Sequence, residues 1–163
     1  MHEGKFDPLC GDLLMAGRAQ AALRGGEDVN PRAHERSGIA RTLGVRITHL
    51  SRDRVAAELT ARAELANRKN ILSGGVLMAL ADLLGGTAAT ANLPDGAGTT
   101  TIESKTNFFA PVPLGATVFA ECTPLHRGRT TMVWETRIRR GDGKLAAVVT
   151  QTQLVMAPAI KPE

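Results

Sequence analysis

Between Ile71 and Ala91 the chain carries one charged residue, Asp82, in the middle of a run that is otherwise apolar or small. An ionised carboxylate in such surroundings is costly unless it is paired or hydrogen-bonded, so a purely structural helix rarely keeps one. Its helix neighbours at the four-residue spacing are Met78 and Gly86, and at the three-residue spacing Ala79 and Gly85. None of these can pair with it, so a partner must come from another segment, another subunit or a ligand. Asp82 is therefore the first candidate for a general base or nucleophile. Nine residues earlier, Ser73-Gly74-Gly75 opens the same run. A helix starting there offers free backbone N–H groups at the positive end of its dipole, with no side chains to block approach. Such an end can hold a carbonyl oxygen as it gains negative charge, the requirement for acyl transfer. At about 1.5 Å per residue the two features lie roughly 12–13 Å apart along the helix axis. An extended acyl thioester lying along the helix could approach both, or the helix start of one subunit could meet Asp82 of its neighbour.

Other chemistries find little support. The four histidines (His2, His34, His49, His126) and two cysteines (Cys10, Cys122) stand at no ligand-like spacing. A zinc site, a local Cys–His nucleophile pair and a disulfide scaffold are all disfavoured, and no metal or cofactor is expected. Four Phe, one Trp and no Tyr weaken any reading that depends on stacking bases. Twenty Lys+Arg against sixteen Asp+Glu give +4, too mild a charge to argue for nucleic acid. Within 126–144, however, Arg127, Arg129, Arg137, Arg139, Arg140 and Lys144 face only Glu135 and Asp142. Such a cluster suits a phosphorylated small molecule, or is the outward face of strands. The N-terminus lacks the basic start and apolar run of a secretory signal, so the cytoplasm is the expected compartment.

The elements that must hold Asp82 and Gly74 follow from periodicity. A chain of 163 residues is one ordinary domain. Residues 9–24 read as a short helix, and 25–41 as a linker rich in Gly and charge. Residues 1–41 thus precede a domain over 42–158, with 159–163 a tail. In 43–49 and 54–63 apolar and polar residues alternate, predicting two antiparallel strands joined by a turn at Ser51-Arg52-Asp53. Residues 73–91 predict a long helix with Ser73 as N-cap, enclosed by protein on several sides and burying Asp82. Four glycines, two threonines and the central Asp argue against a membrane span for this run. Four further strands are expected at 99–110, 115–124, 130–140 and 144–156. In the third, Met132, Trp134 and Ile138 share one face and Glu135, Arg137 and Arg139 the other. The fold class is α+β: one antiparallel sheet of about six strands around one helix.

The series Asn67, Ser73-Gly74-Gly75, Asp82, Thr101, Lys105-Thr106-Asn107-Phe108, Pro111 and Gly115 resembles the small hotdog-fold acyl-CoA thioesterases of the phenylacetate-pathway type, with relatives acting on hydroxybenzoyl-CoA. The turns His126-Arg127-Gly128-Arg129 and Gly141-Asp142-Gly143-Lys144 extend the likeness over about residues 43–157. The resemblance implies a hotdog fold, dimers or tetramers with active sites at the dimer interface, and an acyl-CoA substrate whose coenzyme A is no separate cofactor. It implies Asp82 as the catalytic carboxylate, the Gly74 N–H as oxyanion donor with Gly75 adjacent, and Asn67 orienting water or substrate. A hydroxyl from the neighbouring subunit would correspond to Thr101, or to Thr100 if the register moves by one. Apart from the resemblance, Arg127 and Arg129 flank Gly128 in a turn, where they either clamp the coenzyme's phosphates or are simply solvated, and His126 reads as a turn residue. The family usually has His where this chain has Ser73. Serine can donate one hydrogen bond but cannot titrate near neutral pH, so Asp82 has to carry nearly all the chemistry. The same substitution makes a non-catalytic acyl-CoA-binding protein the rival reading. It also counts against a hydratase, which needs a histidine there.

Overall fold

The computed structural model describes residues 37–157. The helix expected at 9–24, the start of the linker and the tail lie outside them. The end of the linker is not extended. Gly38–Leu43 form a short helix, α1, because Ser37 accepts a hydrogen bond from the Ala40 N–H. Gly44 closes α1 at φ 73, the left-handed conformation that a side chain resists. Leu43, expected at the start of a strand, is thus the last residue of α1. The strand β1 begins at Arg46 and runs Arg46–Leu50. Leu43, Val45 and Ile47 are nevertheless all buried, so the alternation was a true burial signal across a helix end.

The remaining elements follow the expected order: β2 (Val55–Thr60), a 3-10 turn (Ala63–Leu65), the long helix α2 (Gly74–Thr90), β3 (Gly98–Phe108), β4 (Thr117–Arg127), β5 (Thr131–Arg140) and β6 (Leu145–Met156). All pairings are antiparallel, in the order β1-β2-β4-β5-β6-β3. The chain leaves α2 and crosses to the far edge, so β3 is an edge strand of eleven residues.

Helix α2 packs on the inner face of strands β2 to β6. Its Leu77, Leu80, Ala81, Leu84 and Ala88 meet the inward residues of the sheet, among them Val55, Leu59, Val118, Cys122, Trp134, Ile138 and Val149. Fully burying each large side chain stabilises the fold by about 1.5–3 kcal/mol. The helix is not enclosed on every side. Gly75, Met78 and Asp82, at spacings of three and four, form a stripe that the sheet leaves exposed beside β3. No helix among the described residues is long and apolar enough to cross a membrane.

Candidate active site

The start of α2 is built as its glycines require. Ser73 sits at the N-cap in extended conformation, but its side chain makes no capping hydrogen bond. The N–H groups of Gly74 and Gly75 lie in the first turn, where no helix carbonyl can reach them. The Phe108 ring covers Gly74: a Cβ there would lie 3.1 Å from the ring's Cζ. Around Gly74 opens a cleft of ≈ 290 Å³, walled mainly by Ile71, Leu72, Leu77, Phe108 and Phe109, with Asn67 at its polar edge. Asn67 shapes the turn before the helix. Its Oδ1 accepts the Lys69 N–H at 2.8 Å, and its backbone closes the turn with Asn70 and Ile71.

The carboxylate stands elsewhere. Asp82 is eight residues beyond Gly74, about 12 Å along the axis. It is exposed rather than buried, which corrects the expectation from the apolar run. Its Oδ1 accepts the Thr101 hydroxyl at 2.9 Å and the Gln151 side-chain amide at 2.7 Å. Thr101 therefore meets Asp82 of its own chain, where the resemblance had implied a hydroxyl from the neighbour. The inward side of β3 carries Thr101 because it pairs with Gln153, itself buried on the inner face. Thr100 pairs with Leu154 and points to the opposite face, away from Asp82 of its own chain.

Arg127 is already engaged. Its guanidinium lies 2.8 Å from Asp53 and donates to the Arg52 carbonyl and Asn92 Oδ1, tying the β1–β2 turn to the end of α2. Arg129 is exposed in the β4–β5 turn. His126 packs on Gly128 in that turn, where a Cβ would crowd its ring. Thus Asn67 and Gly74 share the cleft at the start of α2 with Ser73 and Gly75 beside it, Asp82 and Thr101 meet further along the helix, and the arginines lie apart. Among the described residues no group of three His, Cys, Asp or Glu is placed to hold a metal.

Sequence reasoning missed Gln151 and Gln153. The signal was available: both occupy inward positions of β6 after Ala147 and Val149, where an amide must find a hydrogen bond. It also missed Phe108 as the ring over Gly74.

Comparison with known proteins gives this arrangement a context. Residues 69–147 match the model of the Thioesterase superfamily. A Saccharolobus solfataricus protein, provisionally named an esterase, is 34% identical over 109 residues, covering 67% of this chain and 76% of its own. A thioesterase of known structure from Haemophilus influenzae superposes with a TM-score of 0.72 at 27% identity, over 78% of this chain and 89% of its own. The Escherichia coli PaaI protein, from the phenylacetic acid degradation operon, superposes with a TM-score of 0.72 at 21% identity, over 90% and 96% of the two chains. The fold is the hotdog fold.

Proposed function

The chain belongs to the thioesterase superfamily, and on that premise we propose that it hydrolyses the thioester of an acyl- or aryl-acyl-CoA to the free acid and coenzyme A. The observation that carries this reading is the Asp82 carboxylate, held through one oxygen by Thr101 and Gln151 and standing on an exposed helix stripe. Acting as general base, Asp82 takes a proton from water as the water adds to the thioester carbon. The carbonyl oxygen gains negative charge and is met by the Gly74 N–H. The C–S bond then breaks, and the proton on Asp82 returns to the leaving thiolate. Acting as nucleophile, the same carboxylate would add to the thioester carbon and expel the CoA thiolate to form an acyl anhydride. Water then opens the anhydride to the free acid and the regenerated carboxylate. Neither route uses a metal or a separate cofactor.

One chain holds the two halves about 12 Å apart, so the reading places the complete site between two copies. The β3 edge supports this. It is long and unpaired, and Ile102, Phe108, Phe109 and nearby Met78 are exposed. Such an edge is a ready template for pairing with another chain. Pairing two β3 strands would bring the Gly74 end of one subunit toward Asp82 of the other, as a dimer or as half of a tetramer. The 290 Å³ cleft at Gly74 would take the acyl group. The reading sets the protein in the cytoplasm, with its CoA-ester substrate.

Release of free thiol from a panel of acyl-CoAs tests the proposal, with wild type and Asp82→Asn side by side. Turnover by wild type and its loss in the variant are expected. Full activity in Asp82→Asn overturns the role of Asp82. Ser73, with its hydroxyl outside any cap bond, favours the second reading of a non-catalytic acyl-CoA binder. That reading predicts saturable binding with no thiol release by wild type.

A further inference from the structure

Asp82 is held by groups that the fold alone has little reason to keep. Gln151 and Gln153 are each 1% exposed on the inner face of β6, where Ala147 and Val149 precede them. An apolar side chain of similar size would fill either position without burying an amide. The Gln151 amide is moreover oriented at a cost. Its Nε2 donates to Asp82 Oδ1 at 2.7 Å and to Thr101 Oγ1 at 3.0 Å, while its buried Oε1 finds no partner. Helix α2 also makes room for it. Gly85 stands in the helix interior, where glycine is unfavourable, and a Cβ there would lie 2.7 Å from Gln151 Cδ and nearer still to Oε1.

Gln153 completes the set by counting. A threonine hydroxyl has one proton and two lone pairs. Gln151 Nε2 at 3.0 Å and Gln153 Nε2 at 2.8 Å occupy both lone pairs of Thr101 Oγ1. Its proton is therefore left for Asp82 Oδ1, 2.9 Å away. Gln153 is anchored in turn, with its Oε1 3.0 Å from the Thr99 hydroxyl. Two donors, the Thr101 hydroxyl and Gln151 Nε2, end on Oδ1, and Gln153 reaches it through Thr101. Local costs that converge on one atom mark a site rather than a core.

We propose that Gln151, seconded by Gln153, is the positioning residue of this hydrolase: the two amides lock the Thr101 hydroxyl and the Asp82 carboxylate so that Oδ1 is the held oxygen and Oδ2 is the one presented to water or to the thioester carbon. This rests on the thioesterase reading. The amides act through Asp82 and touch no substrate, so they set the chemical step and not affinity.

Steady-state kinetics of Gln151→Met and Gln153→Met, with the acyl-CoA that wild type turns over best, test the proposal. Loss of alignment costs up to about 10²-fold in rate, so kcat should fall by about 10- to 100-fold in the first and less in the second, with KM within about two-fold. Gly85→Ala should lower kcat by displacing the Gln151 amide, and should cost nothing further when combined with Gln151→Ala. A simple packing role would show this coupling in thermal stability and leave kcat unmoved in all three variants. The side-chain amide resonances of Gln151 and Gln153 in 15N-labelled protein read the contact without turnover and should move in Asp82→Asn. Unchanged kcat in folded Gln151→Met, or a rise in KM alone, overturns the positioning role while hydrolysis stands. Still amide resonances overturn it even if a variant fails to fold. Absence of thiol release by wild type defeats the thioesterase reading, and the positioning role with it.

Discussion

The Phe108 ring on the edge strand lies directly on Gly74 at the start of α2, with a Cβ at Gly74 only 3.1 Å from the ring. The contact binds the helix end to the strand that would face a second subunit. It also leaves room at this position for a backbone N–H and little else.

Gly74→Pro isolates that N–H. Proline is well tolerated at the first helical position, and Ser73 before it already has the extended conformation that a following proline demands. Phe108 is 53% exposed and can swing aside. The variant should stay folded and lose about 10²–10³-fold in kcat, the usual cost of one oxyanion donor. Gly74→Ala keeps the N–H, displaces only the ring, and should lose about ten-fold or less. Equal activity in the two variants would remove the N–H from the mechanism.

Asp82→Asn keeps the shape and loses the charge. An asparagine Oδ1 can still accept from Thr101 and Gln151, so the network need not rearrange. Asp82 is exposed, so stability should change by no more than about 0.5 kcal/mol. The rate should fall by about 10²–10⁴-fold, the range of general acid–base catalysis. Thr101→Val should fall less, and Thr101→Ser, which keeps the hydroxyl, should nearly recover wild-type activity. Thermal melts alongside rates separate this from unfolding.

Alternation and turn chemistry were enough to place α2 and β3 to β6 within a few residues, because each element repeats its pattern over ten or more positions. They failed on α1, whose six residues are too few for a period and whose helix depends on its caps, Ser37 and Gly44. Asp82 stood out by type but was misplaced by burial. An apolar helix covered on all faces and one with an exposed stripe at Gly75, Met78 and Asp82 read alike in sequence. The amides of Gln151 and Gln153 were invisible for a different reason: Asp82 lies 69 residues from Gln151, and the packing of α2 across β6 brings them together. Arg127 likewise looked available because Asp53 and Asn92, which occupy it, are distant in sequence.

Cys122 should make the fold sensitive to alkali. It is fully buried on β4, and burial pushes its thiol up to about 11 from 9.0, against a hydrogen bond from Thr136 that pulls it down. Below pH 9 the thiol is protonated in both states and has no effect. As pH rises from 9 towards 11 the unfolded chain releases the proton and the folded one keeps it, so stability falls. The full effect is about 2–3 kcal/mol. Urea melts at pH 8 and pH 10.5 should show wild type losing about 1–2 kcal/mol more than Cys122→Ala, in which this group is absent. Parallel losses in both proteins would place the alkaline sensitivity elsewhere.

Mixing two inactive variants decides whether the halves of the site come from different subunits. In a two-fold dimer each site would join the Gly74 end of one chain to Asp82 of the other. A heterodimer of Gly74→Pro and Asp82→Asn then has one site with both lesions and one with neither. Random exchange makes half the dimers mixed, so activity should return to about a quarter of wild type. If Gly74 and Asp82 of the same chain worked together, every site in the mixture would keep one lesion and nothing would return. The exchange must be forced by mild denaturation and refolding, with each variant treated alone as control. Recovery in the mixture and in neither control assigns the site to the β3 edge. No recovery, with heterodimers demonstrated by mass, would confine the chemistry to one chain and require the substrate itself to span the roughly 12 Å along α2.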